Sequence, residues 1–261
     1  MESLPLGQKK ALVCGASSGI GRACALALAR LGAEVVLVAR RRELLQELAR
    51  AIREDGGLAV VLPADLDAHE ALEAAVDAVL GQGPVTILLN NTGGPAPGPL
   101  LEATPEAFTA AFRRHVLVAH LLTGKCLPGM RKAGYGRIIN IISTSVREPL
   151  PQLGVSNTIR GAMAAWAKTL SKELPPGITV NNVLPGLTDT PRLADLREEV
   201  ARQRGCTAED VLQEWLSSIP EGRLARPEEV AAAVAFLATP SAEYIRGHSL
   251  PVDGGRLQSI A

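Results

Sequence analysis

Cys14-Gly-Ala-Ser-Ser-Gly-Ile-Gly21 links an apolar run, Ala11–Cys14, to a helical pattern, Gly19–Leu31. Gly15, Gly19 and Gly21 permit a tight turn and let a phosphate come close to the backbone. The helix behind them offers that anion free N–H groups and the positive end of its dipole. The spacing is G-x-x-x-G-x-G, not G-x-G-x-x-G. Such a turn also arises as a plain chain reversal, so the pattern around it has to decide. Further strand-like runs follow at Glu34–Ala39, Leu58–Leu62, Thr86–Asn90, Arg137–Ile142, Thr179–Leu184 and Ser249–Val252. They are short, continuous and rich in Val, Ile and Leu, as parallel strands covered on both faces are. Helical patterns alternate with them at Arg42–Glu54, Ala68–Leu80, Pro105–Lys132, Val155–Glu173 and Pro227–Ala238. Strand–helix alternation with short connections predicts right-handed βαβ units, hence an α/β fold with a doubly wound parallel sheet of about seven strands. No linker or repeat divides residues 1–261, so a single dinucleotide-binding domain of the Rossmann type is expected. Asp189–Ile219 reads as a helical insertion after the sixth strand. Ligands of open α/β sheets bind beyond the carboxyl ends of the strands, so residues 189–219 are expected to form a substrate lid.

Composition narrows the function. Hydrophobic residues make up 47% of the 261, enough for a full core, and 27 basic residues balance 27 acidic ones. That excludes a disordered chain and argues against a mainly electrostatic nucleic-acid binder. No 18-residue apolar run is present and the first residues do not read as a signal peptide, so neither a membrane span nor export is expected. Cys14, Cys24, Cys126 and Cys206 form no C-x-x-C pair, which points to a reducing cytoplasm. His69, His115, His120 and His248 lack metal-ligand spacing, so no metal site is expected.

The end of the second strand bears on the cofactor. Arg40, Arg41 and Arg42 follow Ala39, where an acidic residue would hold the ribose hydroxyls of NAD. An arginine there suits the 2′-phosphate of NADP(H), with the Ser17 and Ser18 hydroxyls as further donors; the same arginines also read as a solvated helix start.

Beyond these residues, Asp65-Leu66 follows the third strand, Asn90-Asn-Thr-Gly93 the fourth, Pro185-Gly186 with Thr188 the sixth, and Val252-Asp-Gly-Gly255 closes the series. In this order and spacing the chain resembles the short-chain dehydrogenase/reductase family over essentially its whole length. Arg223–Gly255 is especially similar to bacterial 3-oxoacyl-[acyl-carrier-protein] reductases. Cys14 stands where the family's first motif has Thr, and Thr92 where its fourth-strand motif has Ala. The resemblance implies that Gly15, Ser17, Ser18, Gly19, Ile20, Gly21, Arg40 and Arg41 bind NADP(H), the glycine turn at its pyrophosphate. It implies that Asp65 and Leu66 hold adenine, Asn91 and Gly93 line the cofactor, and Pro185, Gly186 and Thr188 face the nicotinamide.

Catalysis is where the resemblance breaks. The family uses a Ser, a Tyr thirteen residues later, a Lys four beyond that and an Asn on the preceding long helix. Those slots hold Ser143, Ser156, Arg160 and His115. Neither Tyr135 nor Tyr244 precedes a lysine by four. A serine hydroxyl is a far weaker acid than a phenol of reference pKa about 10. Arg160 keeps its charge, and suits ribose hydroxyls or an anionic substrate group. His115, with a reference pKa of about 6.5, is a candidate acid or base through an ordered water, or else a packed helix residue. Ser143 suits substrate binding or strand-end capping.

The resemblance therefore implies an NADP(H)-linked reductase of a carbonyl such as a 3-oxoacyl thioester, with atypical catalytic residues. The alternatives are a catalytically silent NADP-binding sensor or partner subunit, and a rebuilt non-redox site. Arg113, Arg114 and Arg147 read either as a patch for an acyl carrier protein or as solvated faces. Trp166 and Trp215 read as core or interface. The apolar helices Pro105–Lys132 and Val155–Glu173 suggest a homo-oligomer, a dimer or tetramer.

Overall fold

The computed structural model describes residues 4–259. Its centre is β1 (Lys10–Cys14), which pairs in parallel with β2 (Glu34–Ala39) on one side and β4 (Ile87–Asn90) on the other. With β3 (Leu58–Pro63), β5 (Gly136–Ile141), β6 (Ile178–Pro185) and β7 (Ser249–Val252) they form a seven-stranded parallel sheet in the order β3-β2-β1-β4-β5-β6-β7. The chain reverses its direction of travel across the sheet between β1 and β4, which is where α/β sheets of this kind open a binding crevice.

Helices cover both faces. One core layer joins the sheet to α1 (Gly19–Arg30), α2 (Arg42–Glu54) and α9 (Pro227–Ala238), through Leu28, Leu45, Leu48 and Val234. The other joins it to α3 (His69–Leu80), α5 (Val118–Ala133) and α6 (Gly154–Glu173), through Leu72, Val76, Leu122, Met130 and Ala167. Burial on both faces explains why the strands carry unbroken apolar runs. A polar ladder is set into this core: Asn90 donates to Asn140 at 2.8 Å, Asn140 to Asn182 at 2.8 Å, and Asn182 to Ser249 at 3.0 Å, from β4 to β7.

Two departures from the sequence reading bear on the site. The expected helix Pro105–Lys132 is broken: α4 (Pro105–Phe112) passes through a π-helical turn, Arg113–Leu117, into α5. A π-turn squeezes an extra residue into the helix and redirects the side chains around it. Here it sends Arg114 to Asp67 and buries His115. The Asp189–Ile219 segment folds as α7 (Pro191–Arg204) and α8 (Ala208–Ser217). Thr190 caps α7 by accepting from Leu193 N–H at 3.2 Å, with Pro191 at its first position, and Gly205 ends it at φ 66°. A Thr207–Asp210 capping box starts α8.

Candidate active site

A cavity of about 590 Å³ opens beyond the carboxyl ends of the strands. Strand order gives it two ends. On the β2–β3 side lie the turn after β1, Arg40, Arg41, Asp65 and Leu66; on the β5–β6 side lie Ser143, Ser156, Arg160, Pro185 and Gly186. Asn91, Thr92, Gly93 and Gly94 run along the wall between them, and Thr190, Pro191, Arg192 and Leu196 of the α7 end close over it.

The turn after β1 takes its shape from its glycines. Gly15 has φ +64°, and a Cβ there would stand 2.6 Å from Asn91 Nδ2. A Cβ on Gly21 would overlap the Gly15 carbonyl oxygen, so α1 can pack this closely only as glycine. Asn91 Nδ2 donates to Cys14 O at 3.3 Å and ties the turn to the end of β4. Arg41 reaches across from β2: its Nη2 donates to both Ser17 Oγ and Ser18 Oγ at 2.8 Å. One guanidinium and two hydroxyls thus converge where the adenosine end of a dinucleotide would lie, in keeping with a phosphate at that point.

At the other end, Ser143 Oγ accepts from Ser145 N–H at 3.0 Å and caps the short turn after β5, and as a donor it has no partner among the described residues; Ser143 lines the cavity. Ser156 and Arg160 lie one turn apart on the same face of α6. Ser156 Oγ has no hydrogen-bond partner among the described residues. Arg160 is only 8% exposed, and its Nη1 donates to Ile141 O at 2.8 Å. Burial first, and then the charge of Arg192, bring its pKa down to about 10. It stays cationic at neutral pH.

His115 is placed differently from the expectation. It does not line the cavity but stands behind Thr92, whose Oγ1 hydrogen-bonds its Nδ1. Its Nε2 is buried with no partner among the described residues. Burial, and then the charges of Arg160 and Arg114, push its pKa down to about 2. The ring is therefore held neutral near neutral pH, and it meets the cavity only through Thr92. Gly21 and Thr188 also stand behind the wall; Thr188 donates to Gly186 O at 3.2 Å, and Thr190 takes the cavity-facing position two residues on. Arg114 is not a solvated surface charge either. It grips Asp67 through Nε at 2.9 and 3.0 Å and through Nη2, and holds that carboxyl below its ordinary range. Tyr135 is buried against Ala238 O and Tyr244 is 99% exposed; neither lines the cavity.

A family model described as "Enoyl-(Acyl carrier protein) reductase" matches residues 15–256. The chain belongs to the short-chain dehydrogenase/reductase family. This short-chain dehydrogenase/reductase is 34% identical over 252 residues to the 3-oxoacyl-[acyl-carrier-protein] reductase of Vibrio cholerae, covering 95% of this chain and 96% of that one. Its fold superposes on L-sorbose reductase from Gluconobacter frateurii, solved with NADPH and L-sorbose, with TM-score 0.91 at 33% identity, covering 99% and 100% of the two chains. It also superposes on a 3-oxoacyl (acyl-carrier-protein) reductase from Agrobacterium tumefaciens, solved with NADP, with TM-score 0.86 at 26% identity, covering 97% and 96%.

The residues present fit a nicotinamide dinucleotide: the glycine turn brings the start of α1 tight against the end of β1, with its N–H groups at the cavity, and Arg41 with Ser17 and Ser18 suits a 2′-phosphate. Sequence reasoning missed Thr92, Asp67, Thr190 and Arg192 as wall residues. Thr190-Pro191 carries a readable helix-start signature. The Asp67–Arg114 pair, 47 positions apart, carries no local signal.

Proposed function

We propose that this chain is an NADP(H)-linked carbonyl reductase, acting on a substrate such as a 3-oxoacyl thioester, that delivers its proton without a tyrosine. The observation that carries this reading is the meeting of Ser143, Ser156 and Arg160 in one cavity with the glycine turn and the Arg41–Ser17–Ser18 cluster. When bound, NADPH supplies the hydride for the carbonyl carbon. Ser143 donates its free hydroxyl hydrogen to the carbonyl oxygen and orients it. Ser156, too weak an acid to replace a phenol, holds a water that gives that oxygen its proton. The buried cation of Arg160 favours the negative charge that develops beside it. The α7 end, through Thr190 and Arg192, acts as the lid. Homo-oligomer assembly through α4–α5, where Phe112 and Leu117 are 40% and 39% exposed, completes the reading. So do a cytoplasmic location and delivery of substrate by an acyl carrier protein. Among the described residues no helix is long and apolar enough to cross a membrane.

A second reading, a silent NADP-binding sensor or partner subunit, is favoured by the wall itself. Its ionisable residues are arginines and aspartates, with no His, Cys, Tyr or Lys. NADPH oxidation against a panel of 3-oxoacyl thioesters separates the two. Slow but measurable turnover supports the reductase; tight NADPH binding with no turnover of any carbonyl compound supports the silent protein.

A further inference from the structure

The β5–β6 end of the cavity holds two arginines and no carboxylate to balance them. Arg160 on α6 is over nine-tenths buried, and only its Nη1 has a partner, the Ile141 carbonyl oxygen. Its other N–H donors have no partner among the described residues, and the side chain lines the cavity. Gly94 stands against Nη2: a Cβ there would lie 3.8 Å from that nitrogen. Arg192, in the first turn of α7, enters from the lid side, its Nη2 donating to Pro95 O at 2.8 Å. Gly94 and Pro95 are consecutive residues, so the two guanidinium groups meet the same short stretch of wall. Neither forms an ion pair among the described residues. The aspartates of the wall are Asp65 and Asp67, both after β3 on the far side, and Asp67 already belongs to Arg114. A buried cation left without a counter-charge is costly, and arginine's planar fork matches a two-oxygen anion.

We infer that Arg160 and Arg192 bind the carboxylate of the carbonyl substrate, so that the preferred substrate is an oxo acid rather than a neutral ketone or ester. This rests on the carbonyl-reductase reading, because Ser143 and Ser156, which line the same end of the cavity as Arg160, are there assigned to the reacting carbonyl; it replaces the thioester given there as the example, whose acyl carboxyl is masked, with a free oxo acid. It places the carboxylate one or two carbons from the keto carbon, as in a 2-oxo or 3-oxo acid. The same oxyanion chemistry belongs to a cofactor phosphate. The glycine turn and the Arg41 cluster already offer donors to phosphates on the β1–β2 side, and a ribose hydroxyl on Arg160 would bring no negative charge to balance the pair.

The test uses the full chain loaded with NADP⁺, which cannot reduce a ketone, so binding is read without turnover. Acetoacetate and methyl acetoacetate are titrated by calorimetry, and NADP⁺ affinity is measured separately for each variant. The expected result is binding of acetoacetate at least about tenfold tighter than its ester. Arg192→Gln should erase that preference while NADP⁺ affinity stays within about twofold. Arg160→Lys, which keeps the charge and loses the fork, should weaken acetoacetate more than the ester. Equal binding of acid and ester, or no binding of the acid, overturns the inference. A loss of NADP⁺ affinity in Arg192→Gln with acetoacetate unaffected assigns the oxyanion to the cofactor and overturns it too. Failure of NADP⁺ itself to bind the unaltered protein is a different result, since it removes the reductase reading on which the inference stands.

Discussion

The two ends of the cavity lie in one crevice and are built in opposite ways. At the adenosine end the backbone does much of the work: Gly15 and Gly21 leave no room for a Cβ, and Asn91 stitches the turn to the end of β4. At the reduction end side chains do the work, and they are short hydroxyls and a guanidinium, with space around them. A backbone cradle tolerates almost no substitution because it has no rotamer with which to yield. A wall of side chains can change its chemistry while the fold stays put. On the reading proposed above, that contrast lets one end keep its chemistry while the other changes.

The largest effect that would sharpen the contrast is a gain at the permissive end. Ser156→Tyr combined with Arg160→Lys should raise NADPH-dependent reduction of a 3-oxoacyl thioester by roughly 10²–10⁴-fold, the usual worth of positioned acid–base catalysis. No gain in a folded double variant that binds NADPH would break it, because the altered end would then not be a reducing site. A smaller loss is expected at the constrained end. Arg41→Ala removes the donor that converges with Ser17 and Ser18, and charge-assisted contacts are worth about 1.5–3 kcal/mol. NADPH affinity should fall roughly 10–100-fold, with NADH affinity little changed, in parallel calorimetric titrations.

Acid provides a third comparison. Unfolded, His115 titrates near 6.5; folded, near 2. Between these values the unfolded chain binds a proton that the folded chain excludes. Stability should therefore decline as pH falls below 6.5, by up to about 1.4 kcal/mol per pH unit from this group. Chemical denaturation between pH 7 and pH 5 measures the slope, which His115→Asn should flatten; an unchanged slope would mean that the ring is not shielded. The smallest effect belongs to Ser156→Ala, which removes a hydroxyl with no partner in the chain and should shift unfolding free energy by less than about 0.5 kcal/mol.

Most of the architecture was legible because it rests on local pattern. Apolar runs of strand length marked all seven strands, and glycines marked the turn after β1. Ser143, Ser156 and Arg160, placed from the family's spacing, line the crevice. What escaped depends on contacts between distant segments. The π-turn at Arg113–Leu117 arises where Arg114 finds Asp67 and His115 finds Thr92, and nothing in the helical periodicity marks it. His115 turns Nδ1 to Thr92 and buries Nε2, and only the packing of that turn decides this. Arg192 looks like one more charged residue at a helix start until Pro95 is seen beside it.

The asparagine ladder has a consequence for how the molecule assembles. β4, β5 and β6 are interchangeable greasy segments as far as the hydrophobic effect is concerned, and any of them sliding by one position would bury about as much apolar surface. A slide would also turn Asn90, Asn140 or Asn182 to the wrong face and strand its amide in the core, at about 1–3 kcal/mol for each group left unmatched. The ladder thus acts as a proofreader of alignment, present from β4 to β7 and without a counterpart of linked side-chain amides between β1 and β3. The amide protons of Asn140 and Asn182 should accordingly be among the last to exchange with deuterated solvent, released only when the whole domain opens.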